Sequence, residues 1–297
     1  MARVDIIVPT YNRPALLLET LKSVQVQTFT DWRCFIAEDG ETSATKAVVA
    51  PFLQDGRFSY LPGQHTGSPV AARNRAIKNG SAAFIAFLDD DDLWLPKKLE
   101  TQIDFLDQNP QCMLVASDAY VWGGQGQQYN NLPRYLQDQP VGHITFQKLV
   151  AFDYIVNSTA MVRRTVLSRS GLQNESAALT FGEDYDLWLR IAVLGQVWIV
   201  DKPLIIYRDA PETSIRKGLN TKSMYAKWVL VYDAALRGDG AVPSPLSYAK
   251  NKYFAHLCLN MRDHYRWKAG SFLNWRRAYC GFASRFRMAR LKLNKSV

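Results

Sequence analysis

Cysteine is scarce in this 297-residue chain, and the four present (Cys34, Cys112, Cys258 and Cys280) show no metal-binding or redox spacing. They read as reduced thiols, which argues against a disulfide framework and for a cytoplasmic protein. No apolar run approaches the roughly 20 residues that span a bilayer; among the longest is Ala82 to Leu88. Met1 leads at once into the strand-like Val4-Asp5-Ile6-Ile7-Val8, without the basic stretch and apolar core of a secretory signal. There is no internal repeat. Composition excludes disorder, since 47% of residues are hydrophobic and 21% charged, the proportions of an ordinary globular chain.

The net charge of +9 is unevenly spread. From Leu246 to Val297 there are twelve Lys/Arg against one acid, Asp263, a local charge of +11, so the preceding residues sum to −2. On a helix starting near Phe272, Trp275, Tyr279, Phe282, Phe286 and Leu293 share one face and Arg277, Arg285 and Lys292 lie opposite. An aromatic face with a basic back suits an interfacial helix on an anionic membrane surface. The plainer reading packs the aromatics on the rest of the chain and leaves the charges in solvent. No nucleic-acid recognition motif accompanies the basic residues, so no nucleic-acid partner is expected.

Ahead of that tail, strand and helix periods alternate. Strands are predicted at Arg3–Val8, Trp32–Ala37, Phe58–Leu61, Ala83–Leu88 and Met113–Ser117. Helices are predicted around Leu17, Leu21 and Val24, over Thr42–Leu53 and Val70–Asn79, and through Leu95, Leu99, Ile103 and Leu106 behind Pro96. Later come a helix from about Glu183 and strands at Val197–Val200 and Leu204–Tyr207; the polar stretch Gly123–Gln139 reads as a loop. This alternation implies an α/β fold with a mostly parallel, Rossmann-like sheet flanked by helices. The expected division is a domain over 1–215 and a helical basic region over 216–297.

In such sheets ligands bind beyond the carboxyl ends of the strands. Three polar clusters follow predicted strands: Pro9-Thr10-Tyr11-Asn12-Arg13, Glu38-Asp39-Gly40, and the run Asp89-Asp90-Asp91-Asp92 in "FLDDDDLW". Two carboxylates about 6 Å apart repel by roughly 3 kcal/mol at an effective dielectric of about 20. The run contains no Lys or Arg, so positive charge must come from elsewhere. If the chain stays extended, Asp89 and Asp91 share one face and Asp90 and Asp92 the other. Hard oxygen ligands so placed suit Mn2+ or Mg2+; a solvated acidic turn is the plainer alternative. Arg73 suits a diphosphate, or a surface ion pair. Asp39 suits a base or ribose, or a turn before Gly40. Tyr11 suits stacking on a base, or packing. In "GEDYDLW", Glu183 and Asp184 either favour a helix N-terminus or supply a general base.

Taken together and in this order, "PTYNR", "EDG", "ARN", "FLDDDDLW" and "GEDYDLWLR" resemble glycosyltransferase family 2 over about Val4–Arg208. These are inverting enzymes of the GT-A fold, and the likeness is to the kind that builds bacterial surface polysaccharides. The resemblance implies a nucleotide-sugar donor, most often UDP-linked, a Mn2+ or Mg2+ cofactor, and a glycan or lipid-linked glycan acceptor. It places donor binding on Pro9, Thr10, Tyr11, Arg13, Asp39, Arg73, Asp89 and Asp90, the metal on Asp91, and the catalytic base on Asp184. The reduced thiols, the missing secretory signal and the basic tail give the expected location, the cytoplasm or the periphery of the inner membrane face. Two features depart from the family pattern. Glu38-Asp39-Gly40-Glu41 stands where "DDGS" is common, and no His follows Tyr207-Arg208 until His256, which leaves a second protein ligand to the metal unassigned. A catalytically silent nucleotide-sugar-binding subunit and a nucleotidyltransferase are the competing readings. The latter expects a Gly-rich basic loop after the first strand, which "PTYNR" is not.

Overall fold

The computed structural model describes residues 2–123, 131–137, 139–151, 153–175 and 182–209. The chain divides into two units, Met1–Pro243 and Ser244–Val297, and every described residue belongs to the first. The expected boundary at 215, the basic region over 216–297 with its aromatic face, and His256 lie outside the described residues, as do residues 124–130 and 138 of the expected loop Gly123–Gln139.

The first half follows the predicted alternation. Strand β1 (Val4–Thr10) leads to helix α1 (Pro14–Gln25), β2 (Trp32–Glu38) to α2 (Ser43–Val49), and β3 (Phe58–Leu61) to α3 (Pro69–Asn79). Then come β4 (Phe84–Phe87), the short β5 (Leu93–Trp94), α4 (Lys98–Gln108) and β6 (Cys112–Trp122). All of β1 and nearly all of β2 are buried, which is why both read as continuous apolar runs: helices cover the sheet on both faces. Pro14 opens α1, and its buried stripe contains the expected Leu17, Leu21 and Val24. Helix α2 stops at Val49 rather than Leu53 because Pro51 follows, and Phe52–Gln54 forms a separate 3-10 turn.

The second half holds β7 (Gly142–Ile144), α5 (Phe146–Ala151), β8 (Met161–Arg163), α6 (Arg164–Ser170), α7 (Glu183–Leu194) and β9 (Gln196–Arg208). The two late strands foreseen are one strand with irregular register. Among the described residues the nine strands form one sheet in the order β3-β2-β1-β4-β8-β6-β9-β5, with β7 also on β9. Pairings among the foreseen strands are parallel. Each antiparallel pairing involves β5, β7 or β8, pieces of two or three residues too short to show a period.

This order places the C-terminal ends of β2, β1 and β4 side by side, and the three polar clusters with them. Helix α7 is seated against β4 by Trp188, fully buried and edge-on to Phe87 with ring centroids 5.3 Å apart. The N-terminus of α7 is thereby brought to the same rim.

Candidate active site

One cleft of about 550 Å³ lies at that rim, and Pro9, Thr10, Tyr11, Arg13, Asp39, Arg73, Asp89, Asp90, Asp91 and Asp184 all line it. The structure thus gathers at one rim every residue to which the family resemblance gave a role, together with Glu183, the other candidate base. It adds His65, Tyr207, Arg208 and Asp209.

The aspartate run differs from the expected two-faced strand. Strand β4 ends at Phe87 and the run is a turn, so side chains no longer alternate. Thr20 Oγ1 lies 3.0 Å from the carbonyl oxygen of Asp90 and 2.9 Å from that of Asp92, fixing this turn from α1. Asp89, Asp90 and Asp91 all reach the cleft, and only Asp92 turns inward. Its carboxylate accepts from Ser158 Oγ and, at 2.9 Å, from the Arg208 backbone N–H.

The missing positive charge comes from two arginines distant in sequence. Arg13 Nη1 lies 2.8 Å from Asp91 Oδ2 and 3.3 Å from Asp90 Oδ1. Arg73 Nη2 lies 2.6 Å from Asp89 Oδ1, while its Nη1 lies 3.1 Å from Glu183 Oε1. Thr10 Oγ1 donates to Asp90 Oδ2 at 2.7 Å, and Asn157 Nδ2 to Asp89 Oδ1 at 2.9 Å. Even so, negative charge is in excess. Burial, then the neighbouring Asp91, push the Asp90 carboxyl up to about 7 against the opposing pull of Arg13 and Thr10. Asp91 is raised by burial and by Asp89, and Asp92 is raised well above the usual carboxylate range by burial and by Asp91 and Asp89. Three carboxyls displaced in this direction mark a place where a further cation lowers the energy of the ionised state.

The donor chemistry of the site suits Mn2+ or Mg2+ of the kind that takes one or two carboxylates and completes its shell with phosphate and water. Among the described residues no three His, Cys, Asp or Glu side chains form a ready-made cage. Asp91 faces the cleft, and Asp209, just after β9, brings another carboxylate to the same rim.

At the β1–β2 end, Tyr11 and His65 stack with centroids 4.2 Å apart and planes 18° from parallel. Asp39 Oδ1 accepts from Thr66 N at 2.7 Å and Thr66 Oγ1 at 2.8 Å, and Oδ2 from Gly67 N at 2.9 Å. The His65 Nδ1 lies 3.1 Å from Oδ2. Asp39 therefore ties the loop after β3 to the end of β2, a role sequence reading missed. The signal available was the polar stretch "PGQHTGS" after β3, a strand end left unused. Gly40 has φ +141°, open to glycine, and a Cβ there would sit 3.5 Å from the Tyr11 ring. On the far side of Arg73, Asn74 Nδ2 donates to Gln173 O at 2.8 Å and Asn74 Oδ1 accepts from Gln173 N at 3.2 Å, holding the approach to α7.

Known proteins fit this arrangement. The family model described as Glycosyl transferase family 2 matches residues 5–171, more than half of the chain. An uncharacterized glycosyltransferase of Rickettsia felis is 30% identical over 205 residues, 68% of this chain but only 32% of that protein, so the chain spans about a third of that relative's length. The Escherichia coli UDP-Glc:alpha-D-GlcNAc-diphosphoundecaprenol beta-1,3-glucosyltransferase WfgD is 32% identical over 190 residues, 63% of this chain and 69% of that one. In three dimensions the chain is similar to S. aureus TarS 1-349 in complex with UDP-GlcNAc (TM-score 0.67, 18% identity, 90% of this chain and 73% of that one). It is also similar to the mannosyltransferase PcManGT from Pyrobaculum calidifontis in complex with GDP-Man and Mn2+ (TM-score 0.59, 18% identity, 96% and 80%). At such identities the structural likeness establishes the GT-A fold alone. With the family model matched across the strands that build the cleft, the chain belongs to glycosyltransferase family 2.

Proposed function

We propose that this chain transfers a sugar from a UDP-sugar to a hydroxyl of a lipid-linked glycan, with inversion at the anomeric carbon. The observation that carries this reading is Arg73. One buried guanidinium touches both Asp89, in the acidic turn, and Glu183, beside Asp184, so the donor end and the acceptor end meet within one side chain's reach. UDP is favoured by the TarS complex with UDP-GlcNAc and by WfgD, named for UDP-glucose; a lipid diphosphate acceptor is favoured by WfgD as well.

In this reading Tyr11 and His65 hold the base and Asp39 fixes the loop that frames it. Asp91 holds Mn2+ or Mg2+, with Asp209 as a second carboxylate. When bound, the cation neutralises charge that develops on the departing diphosphate. Arg13 and Arg73 keep the acidic turn in the geometry that accepts it, a fixed electrostatic arrangement that needs no reorganisation during reaction. Asp184 takes the proton of the attacking hydroxyl from the face opposite the leaving group. The basic tail docks on anionic lipid and brings the active site to its acceptor; salt-sensitive cosedimentation with phosphatidylglycerol vesicles is the expected result, and its absence removes this part.

The test is a thermal-shift panel of UDP, GDP, dTDP and CDP, each with and without Mn2+, on the wild type and on Asp91→Ala. A ligand at about 100 times its dissociation constant stabilises the folded state by roughly 2.7 kcal/mol. A metal-dependent shift with UDP, lost in Asp91→Ala, is expected. No shift with any nucleotide would return the chain to a silent member of the family.

A further inference from the structure

The order of the sheet separates the cleft into two sides. The nucleoside residues stand on β1 and β2 and the acidic turn on β4; Tyr207 and Arg208 come from the end of β9, beyond β4 and β8. That end of β9 meets the acidic turn where the Arg208 N–H donates to Asp92 and Asp209 follows. That β9 side is built unusually. Strand β6 runs parallel to β9, but their register breaks on both sides of Asp118: Ser117 pairs with Val200, Asp118 with Pro203 and Ala119 with Ile205. Irregularities of this kind re-aim side chains next to functional sites.

Here the break frees a fully buried carboxylate. Asp118 Oδ1 accepts from Ala119 N at 2.7 Å and Leu136 N at 2.9 Å, and Oδ2 lies 2.5 Å from Arg134 Nε. The same guanidinium also pairs with Asp201, one of the residues of β9 skipped by the broken register. Residues 133–135 are thereby laid along the end of β6, with Val121 N donating to Pro133 O and Tyr135 N to Ala119 O, each at 2.9 Å. The consequence reaches the cleft. Tyr135 meets Tyr207 edge-on with centroids 6.0 Å apart, and Trp122 lies under the Arg208 guanidinium at 5.6 Å.

We infer that Asp118 and Arg134 are positioning residues that set the acceptor-side wall of the cleft by holding Tyr135 against Tyr207. The inference rests on the proposed transfer reaction, and the ligand concerned is the acceptor sugar, whose apolar ring face suits an aromatic wall. A buried carboxylate with three donors is a rigid support, so small changes in it are transmitted to the ring it holds.

The experiment uses the full chain and its variants Arg134→Ala, Tyr135→Ala and Tyr135→Phe. Without Arg134 the buried Asp118 still keeps the Ala119 and Leu136 N–H donors, and urea unfolding of each variant, run alongside, separates a loss of fold from a loss of positioning. Two quantities are measured: the thermal shift produced by UDP with Mn2+, and the affinity for a GlcNAc-diphosphate lipid analogue, titrated in the presence of both. The expected result is acceptor affinity about 10-fold weaker in Arg134→Ala and Tyr135→Ala, near wild type in Tyr135→Phe, and an unchanged UDP shift in all three. Unchanged acceptor affinity overturns the positioning role. So does a parallel loss of both quantities, which is the signature of general destabilisation. Absence of a UDP shift in the wild type instead overturns the reading of the donor site, and absence of analogue binding in the wild type overturns the acceptor wall as well.

Discussion

Replacing Arg73 by Met removes a guanidinium that is 6% exposed and leaves two carboxylates behind. Burial alone disfavours the charged guanidinium, but Asp89, Glu183 and Asp184 outweigh it and raise its pKa. Breaking a buried pair by deleting one partner costs about 3–5 kcal/mol, because the survivor keeps its desolvation penalty. The two survivors differ. Glu183 is 9% exposed and retains the Gly182 N–H at 3.0 Å, whereas Asp89 is 30% exposed and retains Asn157 at 2.9 Å. The larger share of the loss therefore sits on Glu183, although its contact is the longer at 3.1 Å against 2.6 Å. Double-mutant cycles measured by urea unfolding test this. Arg73→Met with Glu183→Gln is expected to show a coupling of roughly 2–3 kcal/mol, and Arg73→Met with Asp89→Asn about 1 kcal/mol. Additivity within about 0.5 kcal/mol in the first cycle, or a larger coupling in the second, would show that proximity rather than desolvation governs the pair and refute the reasoning.

Three further outcomes follow from the same geometry. Asp184→Asn keeps shape but loses basicity; transfer is expected to fall by about 10²–10⁴-fold while UDP affinity stays within twofold, and undiminished turnover removes Asp184 from the mechanism. His65→Ala takes away the ring stacked on Tyr11; a loss of about 0.5–1.5 kcal/mol in UDP affinity, with or without Mn2+, is expected by calorimetry, and no loss denies the pair a place at the base. Lys98 is fully buried over Trp94, 3.9 Å from the ring centroid, with no hydrogen-bond partner at Nζ, and burial lowers its pKa well below the ordinary lysine value. Because the unfolded chain then binds the proton more readily, wild-type stability rises with pH from the lowered folded value towards about 10.4. Lys98→Met should stabilise by about 1–3 kcal/mol near neutrality and by more as pH falls; a pH-independent urea midpoint difference contradicts this.

The sequence made the half of the molecule built on β1, β2 and β4 legible for a physical reason. Its strands are buried on both faces and end in polar residues, so apolar run and polar cluster together located Thr10, Asp39 and Asp91 at one rim. What stayed hidden lacks either signal. Strands β5, β7 and β8 are too short for periodicity, and Asp118 acts through a register break that composition does not mark. His65 lay in a polar stretch after β3 that was not used, and its contact with Tyr11 joins loops that only the parallel order of β3, β2 and β1 brings together.

Four adjacent aspartates are tolerated because the chain gives each a different environment. Asp89 is joined to Arg73 and Asn157, Asp90 to Thr10 and Arg13, Asp91 to Arg13, and Asp92 to Ser158 and the Arg208 backbone. Two of these partners are cations, each touching more than one acid, so positive charge is short while hydrogen bonds are plentiful. A structural turn is served as well by one aspartate and three neutral residues, without the repulsion. Retaining carboxyls that burial and mutual repulsion hold above their usual range makes physical sense where a ligand brings the balancing charge, and Asp91, whose carboxyl lines the cleft, is the one proposed above to receive it.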